Sequence, residues 1–145
     1  MIGLLQRVTE GCVTIDGRSV GGIGRGLVVL VGVQKTDNEA TAERLLDRLL
    51  GYRVFPDETG RMNLSLQTVG GGLLLVPQFT LAADTRKGTR AGFSTAADPG
   101  LGERLFGHLV THAKKTYQDV ACGEFGADMQ VALVNDGPVT FWLES

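Results

Sequence analysis

The sequence predicts an α+β fold: one small, barrel-like, mostly antiparallel β-sheet domain spanning residues 1–145 and carrying two helices. Three observations carry the prediction. Short β-branched and apolar runs are punctuated by glycine-rich turns, two segments have helical periodicity, and strands and helices do not alternate in a βαβ rhythm. A chain of 145 residues fits one domain that buries roughly 70% of the surface its unfolded form exposes. Glycine is the outlying number, at 21 residues, about twice the usual ~7%.

Ile2 to Thr9 and Cys12 to Ile15 read as strands broken by Glu10-Gly11. Asp16-Gly17 predicts a tight hairpin, because both central positions of the favoured turn need positive φ. Gly21 to Gly26 reads as a turn into Leu27–Val33, a run apolar on both faces and therefore a central strand. Thr36-Asp37-Asn38-Glu39 has the capping-box form. Ala42, Leu45, Leu46, Leu49 and Leu50 then make one apolar helical stripe that Gly51 ends. Tyr52 to Phe55 reads as a strand, residues 56–60 as a turn, and Gly70-Gly71-Gly72 as a turn into a second buried strand, Leu73–Val76. Pro77 to Ala97 is mostly loop. Asp98-Pro99 opens the second helix, with the carboxylate as N-cap and proline at the first helical position. Leu101, Leu105, Leu109 and Ala113 line its inner face. Asp128 to Asn135 and Val139 to Leu143 read as a last pair of strands joined by Asp136-Gly137-Pro138.

Composition excludes several functions. A net charge of −2 argues against a protein whose main task is coating nucleic acid, which needs an excess of lysine and arginine. It leaves room for a local basic patch, as at Arg86-Lys87-Gly88-Thr89-Arg90. Two cysteines make no disulfide framework and too few ligands for a zinc cluster, which fits a reducing cytosol. The N-terminal run lacks a basic n-region, and no apolar stretch approaches the ~20 residues of a membrane helix. A cytoplasmic protein is expected.

The glycines at 21–26 open onto a strand rather than a helix N-terminus, so a phosphate loop is disfavoured. His108 and His112 have i, i+4 spacing, but no glutamate follows His108 and no third ligand stands out; surface histidines are the better reading. Cys12 and Cys122 read as inert thiols, and no G-x-S-x-G elbow exists. Two segments resist a purely structural reading. Val76-Pro77-Gln78-Phe79-Thr80-Leu81 closes a buried strand, and Asn135-Asp136-Gly137-Pro138-Val139-Thr140 carries more than a hairpin needs.

At these segments the chain resembles the D-aminoacyl-tRNA deacylases, and the resemblance covers essentially its whole length. It runs through Leu5-Gln6-Arg7-Val8, Gly24 to Val33, Arg61-Met62-Asn63-Leu64-Ser65, Gln78 to Gly88, Phe125 to Met129 and Asn135 to Thr140. It implies an enzyme that cleaves the ester between a D-amino acid, or glycine, and the terminal ribose of a tRNA, without metal or organic cofactor. It implies a homodimer as the working unit, acting on the tRNA 3′ end and on neither DNA nor membrane. Gly137-Pro138, with a cis peptide bond, would reach into the partner's site and exclude L side chains, steadied by Arg7. Gln78, Phe79 and Thr80 match the catalytic strand end. The Phe79 N–H would be an oxyanion donor. Thr80 is a candidate nucleophile, but nothing nearby in sequence would deprotonate it; the preferred reading makes it a positioning residue while the ribose 2′-hydroxyl helps activate water. Phe125 and Met129 would hold the terminal adenine, and Arg86, Lys87 and Arg90 would contact phosphates.

Two departures from the family pattern stand out. Pro77 occupies the place of the usual serine, as in a related animal branch, although that branch typically lacks the phenylalanine that follows here. Ala91-Gly92 replaces the usual Pro-Ser before Phe93. Pro77 is the one feature favouring an alternative, a non-catalytic module that binds the tRNA 3′ end or a nucleotide. A purely structural interaction domain would leave the Gln78-Phe79-Thr80 and Gly137-Pro138 segments without a purpose.

Overall fold

The computed structural model describes residues 1–145. Eight strands and three helices follow in the order β1 (Ile2–Ile15), β2 (Arg18–Ile23), β3 (Gly26–Gly32), α1 (Glu39–Gly51), β4 (Phe55–Pro56), β5 (Met62–Leu64), α2 (Leu66–Val69), β6 (Gly72–Pro77), α3 (Pro99–Thr116), β7 (Val120–Cys122) and β8 (Gln130–Glu144). A 3-10 turn, Phe79–Ala82, follows β6. The fold is the expected α+β one, a mixed sheet nearly closed into a barrel. It has one short helix, α2, and two short strands, β5 and β7, more than the sequence announces.

Strand β1 organises the sheet. One of its edges pairs antiparallel with β3 at Ile2–Val8 and with β2 at Gly11–Ile15; the other edge pairs with β8. β3, β6 and β7 then run parallel to one another. These two parallel pairings are long-range, and no local pattern foretells them. The β1–β2 hairpin turns at Asp16 and Gly17, both at positive φ (48° and 76°), as the Asp-Gly signal requires.

Several expected boundaries shift, each for a physical reason. Glu10-Gly11 does not break β1: Glu10 pairs with Val134, and Gly11 with both Ile23 and Leu133. Gly21 and Gly22 sit inside β2 rather than in a turn, paired with Val13 and Cys12. Gly26 is needed where β3 meets β6, since a Cβ there would lie 1.9 Å from the Gly72 carbonyl oxygen. The cap of α1 is Asn38, not Thr36. The Asn38 side chain accepts from the Thr41 N–H at 3.0 Å, and the Thr41 hydroxyl accepts from the Asn38 N–H at 3.0 Å. Residues 52–54 are irregular, with β4 only Phe55–Pro56. Asp98 and Pro99 cap α3 as expected, with the Asp98 carboxylate accepting from the Leu101 N–H.

Both faces of the sheet are buried, so the core of the single domain is divided into two clusters. Leu27, Val29, Val31, Leu73 and Leu75 pack with the α1 stripe, Ala42, Leu45, Leu46, Leu49 and Leu50, and with Leu105, Leu109 and Ala113 of α3. The alternate residues Val28, Leu74 and Val76 turn to a smaller cluster with Val8, Val13 and Ile23. This double burial explains why β3 and β6 are continuously apolar. No helix is long and apolar enough to cross a membrane.

The last two expected strands are one. β8 pairs with β1 on both sides of residues 136–139: Asn135 lies opposite Val8 and Thr140 opposite Gln6. Asp136-Gly137-Pro138-Val139 is therefore a bulge pushed out of a continuous ladder, not a hairpin turn.

Candidate active site

The C-terminal ends of β3 and β6, the start of α3 and the segment before β8 enclose a cavity of about 480 Å³. Val31, Val33, Val76 and Phe106 give it an apolar lining; Gln78, Phe79, Phe125 and Met129 also line it. Pro77 lines it too, as the last residue of β6, opposite Val31. The parallel β3–β6 pairing places this site beyond the carboxyl ends of two strands, a common location for ligand sites in such sheets.

The 3-10 turn is held against β3 by close backbone packing. Gln78 N–H donates to the Val31 carbonyl at 2.8 Å. A Cβ on Gly32 would lie 2.9 Å from Leu81 Cβ and 3.4 Å from both the Ala82 nitrogen and the Gln78 carbonyl oxygen. Gly32 therefore seats the turn, a role that sequence reading missed. Phe79 is its first residue, where a backbone N–H has no partner within the turn. Thr80 is exposed and does not line the cavity. Its hydroxyl lies 2.5 Å from Gln78 Nε2, which donates to it. An amide is no base, so this contact orients the hydroxyl without activating it.

The bulge of β8 is built as carefully. The guanidinium of Arg7, its side chain only 12% exposed, donates to the Asp136 carbonyl at 2.9 Å and the Val54 carbonyl at 2.6 Å. Asn135 accepts from the Val139 N–H at 2.7 Å and donates to the Thr140 hydroxyl at 2.9 Å. Asn135 is a second positioning residue beyond those singled out from sequence. The Gly137–Pro138 peptide bond is cis, and Gly137 has φ +142°, a conformation that residues with a side chain rarely adopt. Gly137 and Pro138 are exposed, and neither they nor Arg7 line their own chain's cavity.

Arg86, Lys87 and Arg90 share a second cleft of about 490 Å³ with Asp84, Gly92 and Ser94, with no hydrophobic residue in its lining. Arg86 forks onto Asp84 at 2.8 and 2.7 Å. The pair holds the Asp84 carboxyl well below the usual carboxylate range and pushes the guanidinium up. Lys87 and Arg90 have no acidic partner within 4.0 Å. His108 is bonded to Glu43 of α1 at 2.9 Å, and its ring stacks on His112 with centroids 6.2 Å apart. Cys12 and Cys122 are free and half-buried.

A D-Tyr-tRNA(Tyr) deacylase family profile matches residues 4–144. The chain belongs to this family. It is therefore a hydrolase. A D-aminoacyl-tRNA deacylase of Thioalkalivibrio sulfidiphilus is 67% identical over 99% of this chain and 97% of its own length, and one of Alkalilimnicola ehrlichii is 63% identical over 100% and 97%. Among solved structures, one described as c-Myc DNA Unwinding Element Binding Protein superposes with TM-score 0.94 at 37% identity, covering 100% of this chain and 99% of that one. Another, described as "a probable eukaryotic D-amino acid tRNA deacylase", shares the fold at TM-score 0.83 and 18% identity, with 99% and 98% covered. Within the deacylase family frame, the cavity unites Gln78, Phe79, Phe125 and Met129. Thr80, Arg7, Gly137, Pro138 and the basic cleft lie outside it.

Proposed function

We propose that this protein is a cytoplasmic homodimer that hydrolyses the ester of D-aminoacyl-tRNA, and of mischarged glycyl-tRNA, releasing free amino acid and tRNA. The observation that carries the reading is the cavity itself, which sets the Gln78-Phe79 strand end together with the Phe125 ring and the Met129 thioether. An aromatic face and a soft thioether suit the terminal adenine, which leaves the ester over the end of β6.

Water attacks the ester carbonyl carbon, helped by the ribose 2′-hydroxyl. Charge developing on the carbonyl oxygen meets the Phe79 N–H, and the C–O bond to the ribose breaks as its oxygen takes a proton. Thr80 is a positioning residue; its hydrogen bond from the Gln78 amide supports that role. No step calls on a metal or organic cofactor.

Chiral selection comes from the partner subunit's copy of the Gly137-Pro138 bulge. Rigid backbone there leaves room on one side of the substrate α-carbon and none on the other, so an L side chain clashes. Three features support this reading: Gly137 and Pro138 are exposed on their own chain, lie outside its cavity, and are braced by Arg7 and Asn135. Phosphates near the 3′ end meet Lys87 and Arg90, with Arg86 shaping the cleft through Asp84. DNA, which carries no aminoacyl ester, is not a substrate.

A single-turnover assay with labelled D-tyrosyl-tRNA, D-aspartyl-tRNA and their L forms tests the proposal. Hydrolysis of the D esters with survival of the L esters is expected. Intact D ester in a stable complex would instead favour the non-catalytic binding module that Pro77 suggests, and equal hydrolysis of both enantiomers would remove chiral selection.

A further inference from the structure

We infer that Phe79, at the edge of the cavity, and Phe93, with Lys87 and Arg90, form a subsite for the unpaired nucleotides on the 5′ side of the terminal adenosine. The inference rests on the deacylase reading and adds to it a site for single-stranded RNA that reaches beyond one nucleotide.

Phe79 and Phe93 are 60% and 47% exposed, and their rings meet at a centroid distance of 5.3 Å with a 40° tilt. Two large aromatic rings side by side and exposed on the single chain mark a binding surface rather than a packing need of that chain. Base faces stack on such rings without regard to sequence, provided that the bases are unpaired; a duplex hides them.

The pair joins two clefts. Phe79 lines the cavity, while Gly92 and Ser94, the neighbours of Phe93, line the polar cleft. A strand leaving the cavity across the rings therefore meets Lys87 and Arg90. Those are the cations free to take phosphate, because Asp84 occupies the fork of Arg86. The surface is also preformed. Asp84 and Gly92 exchange two backbone hydrogen bonds, at 2.7 and 2.9 Å, and the Thr95 hydroxyl donates to the Ala82 carbonyl at 2.5 Å. Ala97 N–H donates to the Val33 carbonyl at 3.0 Å, tying the far end of the loop to the residue after β3. Binding there need not order a loose loop.

The test compares kcat/KM for D-tyrosyl-adenosine with that for D-tyrosyl esters of the trinucleotide CpCpA. The wild-type protein should favour the trinucleotide by about tenfold or more, the scale of one stacked base. Phe93→Ala should cut that ratio about tenfold, and Phe93→Trp should keep it. Lys87→Gln and Arg90→Gln should each flatten the salt dependence for the trinucleotide by a slope of about 0.7. A wild-type ratio near one, or a ratio unmoved by Phe93→Ala, overturns the inference while leaving the deacylase reading intact. A change in native mass on Phe93→Ala also overturns it, by making the ring a subunit contact. Failure to hydrolyse either substrate removes the deacylase reading and the inference together.

Discussion

Replacing Gly137 by alanine is the most informative single perturbation. The residue has φ +142°, and holding a side chain in that sparsely populated conformation costs about 1–3 kcal/mol. The new Cβ would lie 2.7 Å from Val139 Cγ2, 3.0 Å from the Val139 nitrogen and 3.2 Å from the Arg7 guanidinium, adding overpacking of about 1 kcal/mol. The sum of roughly 2–4 kcal/mol is large against a total stability of ~5–15 kcal/mol, yet leaves the chain folded. Because β8 pairs with β1 on both sides of the bulge, relief comes by moving residues 136–139. A melting curve should shift down by about 6–12 °C. The ratio of D- to L-tyrosyl-tRNA hydrolysis should fall at least about tenfold, which corresponds to only 1.4 kcal/mol of lost discrimination. A variant that melts like wild type and discriminates as well would refute the reasoning, because the bulge would then tolerate a side chain without moving.

Further substitutions probe the same account. Arg7→Ala removes donors from the Asp136 and Val54 carbonyls and should cost about 2–4 kcal/mol in urea unfolding, with discrimination falling in parallel. Gly32→Ala should displace the 3-10 turn by forcing Leu81 away from 2.9 Å; kcat should drop about tenfold or more while binding of the adenosine product changes little. Thr80→Ala should retain substantial single-turnover activity, whereas complete loss in an intact dimer would make Thr80 the nucleophile. Asp57 is held at about 2 by side-chain hydrogen bonds from Asn63 and Thr59. Its stabilisation is complete above the ordinary carboxylate value near 3.8 and is lost as pH falls through about 2. Asn63→Ala should therefore move the Asp57 midpoint upward in an NMR titration.

Local signals in the sequence carried much of the fold. The Asp16-Gly17 turn, the Asp98-Pro99 cap and the Leu45–Leu50 stripe are each decided within a few residues, and each is present. What needed the whole chain was not legible. The parallel pairings of β3, β6 and β7 have no local signature, and the three residues of β7 are too few to show periodicity. Proline in the 136–139 segment reads locally as a turn, because only the partner strand β1 shows that the ladder resumes at Thr140. For the site, Gln78 and Met129 lie far apart in the chain, and residue types alone do not pair them; the family resemblance did. The roles of Gly32, Asn135 and Phe93 were not legible because they lie in a close approach, a brace and an exposed ring contact, none of which leaves a mark on composition.

The central claim is that one subunit's Gly137-Pro138 bulge forms the chiral wall of the other's cavity. The direct measurement is a crystal structure of the protein with a non-hydrolysable D-tyrosyl-adenosine amide. The account predicts a dimer in which Gly137 and Pro138 of the partner lie within about 4 Å of the ligand α-carbon, in van der Waals contact, with the adenine between Phe125 and Met129. A ligand bound in the cavity with both copies of the bulge far from its α-carbon would contradict it.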